Sequence, residues 1–387
     1  MLNPQELLAD LKPRQAELVD ELGGYVTIES GSRDKEGIDA VGRAVGPRFQ
    51  ELGFSLERLS EADFGDHLVA RRAGHGRGRL LALIHLDTVW PRGTLATFPF
   101  QVQDGRASGP GVLDMKGGWV VLRAALAALD RAGWDGLAST TVFMTGDEEL
   151  GSPRGRAHIE ALAREADWAL VLEPARENGD LVGRRGMVGA AYLTVRGVTA
   201  HAGNSPERGA SAIREAAHKI LALEGLADRA QGVLVSVGTI AGGAARQVVP
   251  DRVELSIDLR ASTAEQADRL MADLRRIAGE SQVPGTSSEL SGGITRPAFL
   301  PTPGSEALLA LAQRCGRELG LDLHGLTSRA GSDGNFTAAL GVPTLDGLGP
   351  QGANGCSRDE YVTIDTLPVR AALLAAIISG LPEQLAR

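Results

Sequence analysis

The sequence predicts an α/β protein built on a mainly parallel sheet, with a smaller α+β domain inserted into it. Three observations lead to that class. A chain of 387 residues with 43% hydrophobic content exceeds the size at which a single core stops growing, so two domains are expected. Short apolar runs at 80–84, 140–144 and 168–172 have the length and continuity of strands buried on both faces, and the alanine- and leucine-rich stretch 117–131 supplies a crossover helix between the first two. Between about 184 and 296 the pattern changes to alternating strands and two helical stretches, which suits a small antiparallel sheet with helices on one face.

Leu7, Leu8, Leu11, Leu18 and Leu22 recur at helical spacing over 5–22, and a second helix is expected over 36–52 before the Gly53 stop. The three apolar strands each end in polar residues: His85 and Asp87, then Glu148 and Glu149, then Glu173. Ligands of open α/β sheets sit beyond the carboxyl ends of the strands, so these side chains can converge although they are distant in sequence. Within the insertion, 190–195, 233–237 and 253–259 read as strands, and 207–223 and 264–278 as helices. A helix over 304–319 and a strand-like 343–345 return to the first sheet. The larger domain is therefore discontinuous, 1–183 with 297–387, around an inserted domain at 184–296.

The composition narrows the function classes. A net charge of −9 arises from 49 acidic against 40 basic residues, and no Lys/Arg cluster carries interleaved aromatics, so no nucleic-acid partner is expected. No continuous apolar run reaches the length of a membrane span, and the start of the chain, with Asn3, Glu6, Asp10 and Lys12, lacks the pattern of a secretory signal. Cys315 and Cys356 are too few for a disulfide framework, which fits a cytoplasmic location. Gly74, Gly76 and Gly78 precede a strand instead of following one, which excludes a dinucleotide loop.

The polar strand ends carry the chemistry. His85 and Asp87 lie two apart at a strand end and share a face; a metal-bound imidazole commonly gives its second N–H to a carboxylate, whereas a satisfied turn histidine is the plainer reading. Asp114, in GPGVLDMKGG, either projects from a flexible turn to bridge two ions or caps the helix that follows. Asp147, Glu148 and Glu149 crowd three carboxylates at a sheet edge, a repulsion relieved by cations, by protonation or by water around a solvated turn. Adjacent residues point apart, so one glutamate can bind metal while the other acts as a base.

With these residues in place the chain resembles the di-zinc aminoacylase and carboxypeptidase clan of metallopeptidases, nearest its glutamate carboxypeptidase-like branch, with acetylornithine deacetylase and succinyl-diaminopimelate desuccinylase as relatives. The resemblance rests on ordered motifs along nearly the whole chain: HLDTVWP, SGPGVLDMKGG, GDEELGS, LEPA, GRRGMV, GVTAHAGNSPERGASAI, SIDLRA and GSDGNFTAALGVPTLDGLGP. It implies a metallohydrolase domain with an inserted lid and dimerisation domain. It also implies two zinc ions, one held by His85, Asp114 and Glu173 and the other by Asp114 and Glu149. Glu148 matches the general base acting on a metal-bound water, Asp87 the acid that orients the histidine, and His201 a lid histidine that steadies the developing oxyanion across a homodimer. Arg260 matches an arginine that binds a substrate carboxylate, with an ion pair as the equal alternative, and Gly331–Asp333 matches a loop lining the substrate pocket.

Two positions depart from the family pattern. Gln247 stands where relatives carry asparagine before VVP, and Cys356, in GANGCSRDEYV, stands where they place the last zinc histidine. A thiolate is a legitimate zinc ligand at about 2.3 Å, but it reaches less far than an imidazole and adds a negative charge that weakens the Lewis acid. The leading expectation is a zinc hydrolase that cleaves a peptide or N-acyl amide bond next to a free carboxylate, acting on small molecules or short peptides. The competing expectations are a binding protein on the hydrolase scaffold with an impaired second metal position, and a Cys356 nucleophile.

Overall fold

Six strands form the main sheet in the computed structural model, which describes residues 1–385. The chain divides into two units: Met1–Arg184 with Leu300–Thr327 and 332–385, and Arg185–Phe299 with Ser328–Gly331. The sequence-derived boundaries give 328–331 to the larger domain, whereas its contacts place it with the insertion.

In the first unit the strand order is Ser55–Leu59, His67–Ala73, Ser139–Thr145, Arg79–His85, Trp168–Val171 and Thr344–Leu345. The last four run parallel and the first two antiparallel, so the mainly parallel α/β class is as predicted. Alternation along the strands serves two helical layers. Leu80, Ala82, Ile84, Val142, Met144 and Leu170 join the core that includes Gly117–Arg131 and Thr366–Gly380. Leu81, Leu83, Phe143, Ala169 and Val171 pack with Ile159 and Phe336 on the other face. Both faces being covered, the strands read as continuous apolar runs.

The amino-terminal helix differs from the prediction. It is split into Pro4–Leu11, a 3-10 turn at Lys12–Arg14 and Gln15–Val26, because Pro13 has no N–H to continue an α-helical ladder. The helix Thr366–Gly380 went unpredicted because it is apolar on every side and has no amphipathic period. With the turn that extends it to Gln384 it is long and apolar enough by length and composition to cross a membrane, at a mean hydropathy of 1.2, although Arg370 interrupts the apolar run and 78% of that window is buried.

A small second sheet pairs Gly352–Ala353, Tyr361–Thr363, Arg106–Ser108 and Gln101–Gln103 in that order, all antiparallel. Its first hairpin presents residues 354–360 at its tip, with Asn354 and Cys356 in the left-handed region at φ 61° and 62°.

The second unit is an antiparallel sheet ordered Leu234–Gly242, Arg252–Ala261, Met187–Arg196 and Ser287–Arg296, with helices Ala212–Glu224 and Ala264–Gly279. Leu193, Val195, Leu255, Ile257 and Leu259 meet Leu270 and Leu274 in its core. The helix expected from 207 begins only at Ala212, where the Ser211 side chain accepts from the Arg214 N–H, and the fourth strand was not predicted. Glycine and serine dominate that strand, SSELSGGITR, and conceal its period.

Candidate metal centre

Three parallel strands bring their carboxyl ends together, and the register pairs His85 with Thr145 on the neighbouring strand. His85 is buried, with its Nδ1 2.9 Å from the Asp87 carbonyl oxygen. A proton on Nδ1 satisfies that contact and leaves the Nε2 lone pair facing Asp114 Oδ1 at 3.2 Å and Glu173 Oε1 at 3.7 Å. Electron pairs converging this way require a proton or a cation between them. The burial of His85, which lowers its pKa, is outweighed by Asp114, Asp87 and the charges of Glu148 and Glu173, so the pKa is raised well above 6.5.

Two sets of potential ligand atoms lie within 4.8 Å of one another: His85, Glu148 and Glu173, and His85, Asp114 and Glu149. Glu149 Oε1 is buried without a hydrogen-bond partner among the described residues, and burial followed by the Asp114 charge raises the Glu149 pKa. A cation relieves both conditions, so the donor set fits a metal centre. The bridging reading of Asp114 is also supported by its placement, since its two oxygens face different neighbours: Oδ1 faces His85 and Oδ2 lies 3.4 Å from Cys356 Sγ. The helix that follows Asp114 has no side-chain cap.

Asp87 differs from the expectation of a carboxylate on the imidazole N–H, because its carboxylate oxygen lies 3.5 Å from His85 Nδ1 and its carbonyl is closer. Its carbonyl meets His85, while its carboxylate accepts the Glu148 N–H at 3.0 Å and the Glu149 N–H at 3.1 Å. It therefore orients the glutamate turn as well as the histidine. Asp147 turns away from the centre and accepts the Arg154 N–H at 2.7 Å. Its pKa is pushed up to about 7 by burial, with Asp333 and Asp87 adding to the rise against the Arg154 N–H.

Cys356 as a whole residue is exposed at the hairpin tip, but its Sγ is turned inward, 3.4 Å from Asp114 Oδ2. Burial of its sulfur and then the charges of Asp114 and Glu149 raise the thiol pKa, a burden that a neutral imidazole would not carry. Sequence reasoning missed the support given by Glu360, and it placed Asp333 in a pocket-lining loop without seeing the support that Asp333 gives. Asp333 accepts the Thr145 hydroxyl at 2.6 Å and the Ser152 hydroxyl, fixing both ends of the glutamate-bearing loop. Glu360, wholly buried, accepts N–H groups of the Asp114 turn; burial pushes its pKa up to about 7 against the opposing effect of those N–H groups. Neither lies on a periodic face, and only nearness to GSDGN and GCSRDEYV marked them.

The remaining predicted residues belong to the second unit. His201 is exposed and bridges to Val248 in antiparallel fashion, with the Ala202 N–H donating to the Gln247 carbonyl, so His201 and Gln247 are neighbours. The N–H groups of Gly203 and Asn204 both donate to His201 Nδ1 at 3.1 Å, leaving the ring proton on Nε2. Arg260 forms an ion pair along one edge, its Nε and Nη2 each 2.9 Å from Asp258, and its Nη1 donates to the Arg329 carbonyl. The Gly331 carbonyl accepts from Arg185 at 3.2 Å, and a Cβ at Gly331 would stand 2.5 Å from Arg296 Cδ, which excludes a larger residue without rearrangement.

The model of a family described as Peptidase family M20/M25/M40 matches residues 81–380. Carboxypeptidase G2 of Pseudomonas sp. (strain RS-16) is 33% identical over 374 residues, covering 95% of this chain and 90% of its own. Succinyl-diaminopimelate desuccinylase of Thioalkalivibrio sulfidiphilus is 30% identical over 357 residues, covering 87% and 92%. Among solved structures, a tripeptidase from Staphylococcus aureus aligns with a TM-score of 0.76 at 22% identity, covering 95% of this chain and 99% of its own. An M20 family metallo-carboxypeptidase from Sulfolobus solfataricus aligns with a TM-score of 0.74 at 17% identity, covering 95% and 99%. At those identities the structural likeness is one of fold.

Proposed function

Because the chain belongs to the M20/M25/M40 family of peptidases and is a metal-dependent hydrolase of carboxypeptidase type, we propose that it uses two zinc ions to cleave an amide bond next to a free carboxylate, in a C-terminal amino acid or an N-acyl amino acid. The observation that carries the reading is the convergence of the His85 Nε2 lone pair with Asp114 and Glu173, beside the unpartnered Glu149 oxygen. His85, Asp114 and Glu173 would hold one ion, and Asp114, Glu149 and Cys356 the other. Bound zinc would polarise the scissile carbonyl and make water more acidic.

Glu148 takes a proton from the attacking water and passes it to the leaving amine. Its place is fixed by its N–H on Asp87, and its burial keeps bulk water from competing for the proton. His201, Arg260, Gln247 and Gly331 are assigned to substrate by likeness to the family. In support, His201 offers an Nε2 proton suited to an oxyanion, and Arg260 keeps N–H groups beyond the edge held by Asp258. The binding-only alternative gains nothing from relatives that are named as hydrolases.

Hydrolysis of an N-acyl amino acid with a free α-carboxylate, and loss of at least ten-fold in kcat/KM with its methyl ester, tests the substrate class; equal rates would sink it. The inserted unit would also pair with a second copy through the edge strand Leu234–Gly242, whose Ile240 is 58% exposed. A solution mass twice that of one chain is expected, and a chain that stays single at micromolar concentration contradicts the pairing. We also propose a cytoplasmic location, with which two unpaired cysteines are compatible, and isolation from cells with either thiol in a disulfide would contradict it.

A further inference from the structure

Four N–H groups from two separate segments, Trp90 and the Gly111–Asp114 turn, converge on one buried carboxylate. Glu360 Oε1 accepts the Leu113 N–H at 2.8 Å and the Asp114 N–H at 3.0 Å. Oε2 accepts the Trp90 indole N–H at 3.2 Å and the Gly111 N–H at 3.4 Å. A carboxylate has only acceptors and meets all four; an amide carries two donors on one side and opposes half of them. The loop of Glu360 also carries Cys356, and the two are joined by local bonds: Ser357 N–H to the Asn354 carbonyl, Glu360 N–H to the Ser357 carbonyl, and the Ser357 hydroxyl to the Asn354 carbonyl at 2.7 Å. Arg358 anchors the outer side, with its guanidinium 5.7 Å from the Trp90 ring centroid and a 2.7 Å bond to the Thr97 hydroxyl.

We propose that Glu360 is a positioning residue for the second metal position: by holding the Gly111–Asp114 turn against the 354–360 loop, it fixes Asp114 Oδ2 at 3.4 Å from Cys356 Sγ. The proposal rests on the two-ion reading of the centre. It concerns the chain's own geometry, because Glu360 itself faces N–H groups and leaves no oxygen turned toward an ion.

The test is zinc binding at pH 8 by wild type, Glu360→Gln, Glu360→Asp and the double variant Glu360→Gln with Trp90→Phe. Stoichiometry and stepwise affinity are read by competition with a chromophoric chelator, and cadmium–thiolate absorbance reports whether Cys356 is in the coordination sphere. In Glu360→Gln the amide nitrogen is expected to turn toward the longer bonds, those of Trp90 and Gly111. The first ion then binds as in wild type, the second loses roughly 10- to 100-fold in affinity, and the cadmium–thiolate band weakens. Removing the indole N–H in the double variant relieves one of the two opposed donors and recovers part of the loss. Glu360→Asp keeps the acceptor-only group on a shorter stem and loses less than Glu360→Gln; if Glu360→Gln does not fold, a weakened second ion with an unchanged first in Glu360→Asp carries the test. A second-ion affinity equal to wild type in whichever variants fold, or additive losses in the double variant, overturns the role of Glu360. A wild-type chain that binds fewer than two ions overturns the two-ion reading instead.

Discussion

Glu148→Gln is expected to lower kcat by roughly 10³-fold while KM and zinc content stay near those of the wild type, since general-base catalysis typically contributes 10²- to 10⁴-fold. Glutamine keeps the shape of the side chain and the backbone bond from residue 148 to Asp87, but it takes no proton. The experiment separates two roles that the geometry brings close. Glu148 has an oxygen within 4.8 Å of ligand atoms of His85 and Glu173, so a ligand role is the competitor of its role as base. Loss of one zinc with the substitution would assign Glu148 to the metal; full zinc with lost turnover assigns it to the proton.

Cys356→His has the second large effect, in the opposite direction. At Cys356 the thiol pKa is raised by burial and by the charges of Asp114 and Glu149, so a metal that binds the thiolate must first displace a proton. Binding at the second position therefore strengthens as pH rises toward that raised pKa, and weakens as pH falls. Histidine removes this dependence above its own ordinary pKa, reaches further, and is among the residues best tolerated at a left-handed φ such as the 62° found here. The expected result is a second-ion affinity roughly 10-fold tighter at pH 7, an advantage that shrinks toward pH 9, and a higher kcat. Unchanged affinity and turnover at both pH values would show that the thiolate already completes the site.

Much of the centre was legible because the chemistry sits where chain geometry makes it visible. Strands buried on both faces leave apolar runs, and the polar residues at or just beyond their ends, His85, Glu148, Glu149 and Glu173, mark the carboxyl edge of the sheet. The supports were hidden for the converse reason. Glu360 and Asp333 act on backbone N–H groups and hydroxyls supplied by segments more than 100 residues away, and no local period encodes such a pairing. At Arg260 residue type alone offered a substrate carboxylate or an ion pair, and only the structure shows that one edge of the guanidinium is held by Asp258, two residues back on its own strand. In the fold, the unpredicted Thr366–Gly380 helix and the Ser287–Arg296 strand failed from opposite causes, one apolar on all sides and the other rich in glycine and serine.

The central claim is that paired ions in the His85, Asp114, Glu149 and Glu173 centre drive amide hydrolysis. It is tested most directly by stripping the protein of metal with a chelator and titrating zinc back while following cleavage of an N-acyl amino acid on the same sample. No cleavage without metal, and a rate that rises until two zinc ions are bound per chain, is the predicted result. Full cleavage by the metal-free protein, or two ions bound with no hydrolysis of any acyl amino acid or dipeptide tried, would contradict it.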